Sequence, residues 1–587
     1  MTKVVTIAYN AINAKIHKPS VDVKLIVQEA LSYKVDGVET SIAYKQNRWT
    51  GRSSLFAYNT GSFPAGFVHF VSAHLKRAGY EVRLLRAKAL PEPLGPENPV
   101  VDSFPEDPRY DYQMETVRRL TKHGQIIMQG ATGCGKSRIA RLAFARINRP
   151  TLFLTTRSIL MYQMKDTFEK DLGIGCSVLG DGQFGSVNAA GQTTVKKMCV
   201  GMVQTLYAKL EEPSFEKEFQ KLYDATQKQF DAEITALKAR LTKKKALPEQ
   251  VSLEVAKLVK RHNTLMQRAA AGMKETAENK VREKEIDRQK TINLLKMFEF
   301  VILEEAHEAS GNSYYEILRH CSNAHYRLAL TGTPFMKDSE ESNMRLMACS
   351  GPIAIKVSEK MLIDRGILAK PYFKIIQLKK QPVKLLRGTA WQSAYRLGIT
   401  TNEERNEEIV NEIKTALTYG LTSMILVQHT AHGDTVLKLL EDASIRADFI
   451  RGENDQDERK RALQRLSNGE IDALIGTTIL DVGVDVPAVG VIILAGGGKA
   501  EVALRQRIGR GLRAKKLGPN VAFVIDFSDH WNNHTKAHAL QRLDIIKGTE
   551  GFGENIVSKF DYEALGFTSN QSHISTVSNS SAQTAAT

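Results

Sequence analysis

One octet constrains this chain more than any other feature. Gly130-Ala131-Thr132-Gly133-Cys134-Gly135-Lys136-Ser137 follows a short apolar run, Gln125–Met128, and precedes a stretch with helical spacing, Arg138–Arg146. Glycines at that spacing let the backbone wrap a phosphate with its N–H groups, and the helix that follows adds positive potential at its N-terminus. That geometry needs a strand running directly into a helix, so the octet demands an α/β layer with a parallel sheet. Apolar runs at Thr151–Thr155, Lys197–Met202, Phe300–Leu303 and Arg327–Leu330 alternate with helical segments and supply the sheet. In such a loop Gly130, Thr132, Gly133 and Gly135 carry the backbone around the phosphates of ATP. Lys136 sits on the β- and γ-phosphates, and Ser137 on Mg2+.

A second pattern belongs to the same chemistry. In Val301-Ile302-Leu303-Glu304-Glu305-Ala306-His307 an apolar strand delivers two acids at its C-terminal end. The first, Glu304, orients the metal through its water shell. The second, Glu305, accepts the proton of the attacking water.

Glu304-Glu305-Ala306-His307 resembles the DEAH box of superfamily 2 helicases, with Glu in place of Asp at the first position. Leu330-Thr331-Gly332-Thr333-Pro334 resembles the family's coupling motif. The resemblance implies that Thr331, Thr333 and His307 link nucleotide state to the nucleic-acid site. Gln113 stands where related proteins carry an adenine-reading glutamine. Thr477-Thr478-Ile479-Leu480-Asp481-Val482-Gly483-Val484-Asp485-Val486-Pro487 resembles the motif that contacts backbone and ribose, which implies nucleic acid at Thr477 and Thr478 and ATP at Asp485. Gln506-Arg507-Ile508-Gly509-Arg510-Gly511-Leu512-Arg513 resembles the last motif. It implies a catalytic Gln506 and arginine fingers at Arg510 and Arg513, reaching the γ-phosphate across an interdomain cleft. Thr156, Arg157, Gln204 and Thr205 lie where the family's backbone-contacting loops fall, and small polar groups there suit contacts without sequence preference.

The resemblance covers Arg109 to Thr549 apart from one charged stretch. Two further segments are similar to narrower groups. Arg48-Trp49-Thr50-Gly51-Arg52, Phe63-Pro64-Ala65-Gly66 and Gly79-Tyr80 are similar to the front domain of the UvsW-type recombination helicases of T-even phages. Leu362–Pro371 is similar to that group and to XPB-type helicases. These imply a phage enzyme of recombination, replication or repair that unwinds or branch-migrates forked, junction or single-stranded DNA in the host cytoplasm. Arg48, Trp49 and Arg52 then become candidates for gripping a phosphate and stacking on a base.

At 587 residues the chain exceeds one core. The expected architecture is two RecA-like, doubly wound parallel-sheet domains of the α/β class, with a small N-terminal α/β domain and a helical-hairpin insertion. The divisions fall at 1–98, 99–365, 366–550 and 551–587. In the front unit, Val4–Ile7, Ser54–Tyr58 and Glu81–Leu85 read as strands. Helices are expected from Ser20 to near Gly37 and over Phe67–Ala78. Leu90–Pro108 holds six prolines and reads as an extended linker. From about 209 to 297 the alternation stops. Phe219, Leu222, Thr226, Phe230, Ile234, Leu237 and Leu241 mark one helix face, and Val255, Leu258 and Leu265 a second, joined by a turn at Leu247-Pro248-Glu249. Strands of the second motor domain are expected at Ser423–Val427, Ala473–Gly476, Val489–Leu494 and Val521–Asp526. The tail after Phe567 is nearly free of apolar residues and reads as disordered.

A formal charge of +16 implies an anionic partner, most often nucleic acid. The five cysteines form no CxxC pair and imply neither disulfide nor structural metal. No apolar run is long enough to span a membrane, and the N-terminus lacks the apolar core of a signal peptide, so a cytoplasmic location is expected. Three alternatives stay open: an RNA or RNA–DNA hybrid helicase, a duplex translocase that never separates strands, and an ATP-gated scaffold with Glu304 marking a weakened site. Intact Lys136, Glu305, Arg510 and Arg513 speak against the last.

Overall fold

A computed structural model describes residues 3–104, 106–187, 193–306, 312–332, 339–477, 489–498, 504, 508–509, 511–512, 514–515 and 518–569. The front module builds a four-stranded sheet in the order Ser62–Pro64, Asn13–Ile16, Val4–Tyr9, Glu81–Arg86. Ser20 caps the helix Val21–Ala30 by accepting the Val23 N–H. That helix ends earlier than the expected Gly37, because Ser32–Lys34 pairs with Arg52–Ser54 in a two-stranded ribbon. The ribbon also takes the start of the expected Ser54–Tyr58 strand. Beyond Ser54 only an isolated bridge, Ala57 to Ser62, remains.

The segment Leu90–Pro108 is extended, with no helix before Pro108–Tyr110. It does not hold the module apart from the motor, however. The Leu94 and Gly95 N–H groups donate to the Ile147 and Arg146 carbonyls at 3.1 and 2.9 Å, and Val101 is buried. The module's core takes in Ala348 and packs on Met344 and Met347 of the motor. At that seam a Cβ on Gly66 would stand 2.2 Å from the Met347 carbonyl oxygen. Gly66→Val should therefore cost about 1–3 kcal/mol by overpacking. Thermal unfolding measures that loss, and limited proteolysis should then cut the chain within residues 87–108.

In the first motor domain eight strands run Gln183–Phe184, Cys176–Gly180, Met198–Met202, Thr151–Thr155, Phe300–Glu304, Tyr326–Thr331, Gln125–Gly130, Ile353–Val357. All neighbours are parallel except the Gln183–Phe184 edge. The phosphate-loop strand and the acid-bearing strand are thus separated by one strand, which ends in the fully buried Thr331. The second domain has seven parallel strands ordered Ala447–Ile450, Ala473–Gly476, Ser423–Leu426, Val491–Ile493, Val521–Phe527, Lys370–Ile376, Ile556–Val557. The extension from residue 551 is not all tail. Phe552 is buried, and Phe560 and Tyr562 pack into the second core, with Tyr562 stacked 4.5 Å from Tyr419. The expected disorder falls on residues 570–587, outside the described residues.

The charged stretch is a helical arm, Phe215–Lys243 followed by Pro248–Leu295. At about 1.5 Å per residue the 48-residue second helix is about 72 Å long. On the first helix the seven residues read as its apolar face are all half-buried, joined at the base by Phe215. On the second the stripe is Val251, Val255, Leu258, His262 and Met266, and Leu265 faces solvent at 40 % exposure. Steps of four, three, four and four hold one face of a 3.6-residue period, and Leu265 lies one residue off it. His262 stacks on Phe230 at 4.1 Å and bonds Glu233 at 2.9 Å, locking the two helices in register. At the base, Ile292, Leu294 and Leu295 enter the motor core, and Arg288 donates to the Leu210 carbonyl. Replacing Leu222 to Val281 with a short linker should leave a folded ATPase with turnover within about twofold of the parent, since surface changes remote from a core rarely exceed ±0.5 kcal/mol. An insoluble product would place the arm in the core.

Among the described residues no helix is long and apolar enough to cross a membrane, and no group of His, Cys, Asp and Glu is set to hold a metal ion. All five cysteines are buried and free.

Candidate ATPase site and nucleic-acid interface

The octet folds as its glycines require. Gly133 and Gly135 take φ of +90° and +82°, and Gly135 begins the helix Lys136–Ile147. A Cβ on Gly130 would meet Cys134 Sγ at 2.5 Å, and one on Gly135 would meet Gln113 Nε2 at 2.4 Å. Lys136 Nζ donates to the Gly130 carbonyl at 3.2 Å, which folds the side chain back over the loop. Burial pushes the Cys134 thiol up, so it stays neutral beside that lysine.

Gln113 is 2 % exposed, and its amide is engaged within the protein. Nε2 donates to the Cys134 carbonyl at 3.0 Å, and Oε1 accepts from Arg138 at 2.7 Å. The Tyr112 hydroxyl donates to the same carbonyl at 2.9 Å. Gln113 therefore braces the loop. Arg138 carries the brace outward to Asp102 at 2.8 Å, so the extended segment from the front module ends on the nucleotide site. Tyr112, Arg138 and Asp102 have no motif to announce them in the sequence.

Glu304, 8 % exposed, ends its strand. Glu305 follows with φ +45°, a left-handed conformation that costs a non-glycine residue on the order of 1–3 kcal/mol. Strain of that kind persists where the surroundings fix a side chain's position. Gly332 lies against the phosphate loop, with 3.4 Å between a Cβ placed there and the Gly130 carbonyl oxygen. His307 and Thr333 fall outside the described residues.

The second domain reaches the same loop. A Cβ on Gly509 would stand 2.8 Å from Thr132 Cβ, and the Leu368 side chain packs over Gly133. Leu504, Ile508 and Leu512, spaced four apart in the sequence, are all buried in the core. Thr478, Asp485, Gln506, Arg510 and Arg513 lie outside the described residues.

Sequence reasoning missed a buried charge network in this domain. Arg405 pairs with Asp529, and Arg542 bonds Asp526 at 2.9 Å and Asp529 at 3.2 Å. Arg405 also donates to the Ala495 carbonyl, Arg542 to the Gly498 carbonyl, and Tyr395 to the Gly496 carbonyl. Four charges and a phenol thereby fix the loop that leads from Val491–Ile493 toward the arginine-rich motif.

The nucleic-acid candidates divide. Thr156 and Arg157 follow the strand Thr151–Thr155, and Gln204 and Thr205 follow its neighbour Met198–Met202, so the sheet sets them side by side. Gln204 Nε2 bonds the Thr156 carbonyl at 2.9 Å. Thr477 follows Ala473–Gly476 and is buried. In the front module Arg48 is exposed. Trp49 is half-buried and donates to the Arg52 carbonyl. Arg52 is engaged by the motor: it pairs with Glu340 at 3.0 Å and donates to the Ser32 carbonyl. Its charge thereby helps to dock the module on the motor, while the side chain stays half-exposed.

Two family models match in tandem. Type III restriction enzyme, res subunit, covers residues 107–336, and the helicase conserved C-terminal domain covers 404–515. The chain is a superfamily 2 helicase. The helicase is similar to a putative helicase of Sulfolobus islandicus filamentous virus, with 24 % identity over 40 % of this chain and 43 % of that one. It is also similar to a putative ATP-dependent helicase, IRC3, of Saccharomyces cerevisiae, with 28 % identity over 39 % of this chain and 33 % of that one. The chain thus spans less than half the length of either relative. The DNA 3'-5' translocase XPB2 of Sulfurisphaera tokodaii shares 23 % identity over 37 % of this chain and 56 % of its own. Among solved structures, T4 UvsW aligns over 95 % of this chain and 99 % of its own at 16 % identity, with a TM-score of 0.40.

Proposed function

We propose that this helicase is an ATP-driven motor that travels on DNA and opens or branch-migrates forks and junctions. One observation carries the reading: Gly509 of the second domain lies against Thr132 of the phosphate loop, so a nucleotide in that loop is read by both domains. Lys136 and the loop N–H groups bind the phosphates, Gln113 holds that loop in shape rather than reading the adenine, and Asp485 contacts the remainder of ATP. The side chains of Ser137 and Glu304 suit Mg2+, which when bound supplies charge neutralisation at the phosphates. Glu305 takes the proton of the attacking water. Arg510 and Arg513 stabilise charge on the transferring phosphoryl group, with Gln506 beside them. Thr331, Thr333 and His307 pass the change to Thr156, Arg157, Gln204, Thr205, Thr477 and Thr478. Alternate closure and opening of the cleft then moves the backbone contacts along one strand. A relative named a DNA translocase and the charge of +16 both support DNA as the track. The test is unwinding measured side by side on a DNA fork, a four-way junction, an RNA–DNA hybrid and duplex RNA. The fork and the junction should be opened fastest. Activity confined to the substrates that contain RNA would overturn the reading.

A further inference from the structure

The charge of the arm is segregated along its length. From Thr235 to Ala271, the distal half that contains the turn, there are nine lysines and arginines and two acids, Glu249 and Glu254. The proximal parts, Phe215–Ile234 and Gly272–Leu295, carry nine basic and ten acidic residues. All nine distal cations are exposed, and only Lys257 pairs with a described acid, Glu254. Proximal charges, by contrast, knit the arm together and tie it to the body. Glu218 bridges Lys221 and Lys284, Arg288 reaches Glu212, and Lys209 reaches Asp287. A solvated helix face would mix both signs along its whole length, as the base does.

We propose that the distal half of the arm is a second DNA-binding site, one that grips the phosphate backbone of duplex DNA away from the motor. It rests on the reading of this helicase as a DNA motor. Ala271, the last residue of the basic half, stands 24 positions before Leu295, so at about 1.5 Å per residue the basic half begins about 36 Å from the base of the arm. That is several times the Debye length of about 8–10 Å, so the tip attracts polyanion independently of the motor cleft. Lysine and arginine without acid partners release counterions on meeting phosphate, and they impose no sequence preference. The helix Pro248–Leu295 runs into the core at Leu294 and Leu295, two of the residues just before the acid-bearing strand Phe300–Glu304. A duplex held at the tip is therefore tethered rigidly to the ATPase domain.

The test uses the full-length chain with Lys238, Arg240, Lys243 and Lys244 replaced together by glutamine, which preserves helix propensity at exposed positions. The probes are a duplex of about 30 base pairs bearing a single-stranded tail, and the tail alone. Affinity for the tailed duplex should fall at least about tenfold, and the slope of log affinity against log salt should drop by about 0.9 for each phosphate no longer neutralised. Affinity for the tail alone, and ATP turnover on it, should stay within about twofold. Arginine at the same positions should restore duplex affinity. Unchanged affinity and slope for the tailed duplex would overturn the arm site and leave the motor reading standing, as would equal losses on both probes. Wild-type protein that neither binds the tailed duplex nor hydrolyses ATP on it would overturn the motor reading and the arm site together.

Discussion

Replacing Glu305 with glutamine should lower ATP turnover by about 10²–10⁴-fold, the range that a positioned general base supplies. Glutamine keeps the size and shape of the side chain and removes only its basicity. The backbone at residue 305 is held at φ +45°, and Gln bears that conformation about as well as Glu. Fold and nucleotide affinity should therefore survive. Steady-state ATPase and binding of a fluorescent ATP analogue measure the two quantities separately. Turnover near that of the parent would remove Glu305 from the role of base. Loss of binding together with turnover would mean that the strained turn, rather than the carboxylate, had been disturbed.

The second large effect is expected at Arg510. If it crosses the cleft to the γ-phosphate, Arg510→Ala should cost on the order of 10³ in turnover or more, with DNA affinity retained. Gly509, its neighbour in sequence, already lies against Thr132 of the phosphate loop. Combined with Glu305→Gln, the loss should be far less than the product of the two single losses, as for groups that act as a unit on one transition state. DNA affinity that fell while hydrolysis stayed intact would reassign Arg510 to the nucleic acid.

The buried parallel strands were the most legible part of the fold. Thr151–Thr155 and Ala473–Gly476 match their expected bounds to the residue, because strands covered on both faces are written as unbroken apolar runs. Strands that depart from that pattern were missed. Ile353–Val357 is an edge strand whose residues alternate between exposed and buried. Lys370–Ile376 contains Pro371, which ordinarily argues against a strand. Its neighbour Ile556–Val557 pairs only with Phe373 and Lys374, so the N–H that Pro371 lacks is not needed on that side.

The site was legible where chemistry dictates spacing within a short window, as in the phosphate loop and the acid pair. Contacts made across the chain left no such mark. Arg405 and Asp529 are 124 residues apart, and Arg138 and Asp102 are joined only once the front segment packs on the loop. Arg52 likewise has a partner that the local sequence does not announce. Beside Arg48 and Trp49 it reads as part of a basic, aromatic turn, yet its partner, Glu340, lies 288 residues away. The apolar faces of the arm could be read from periodicity, although one residue of the second stripe was misplaced. Its charge segregation becomes meaningful only once the two helices are known to pair along their length.

The most direct measurement is ATP turnover by the full-length chain, with and without single-stranded DNA. A motor whose cleft is gated by its track should be stimulated roughly 5–150-fold, the scale of coupling free energies of about 1–3 kcal/mol. Lys136→Ala should abolish turnover in both conditions. Turnover that is indifferent to DNA at saturating concentration, or that persists in Lys136→Ala, would contradict the account.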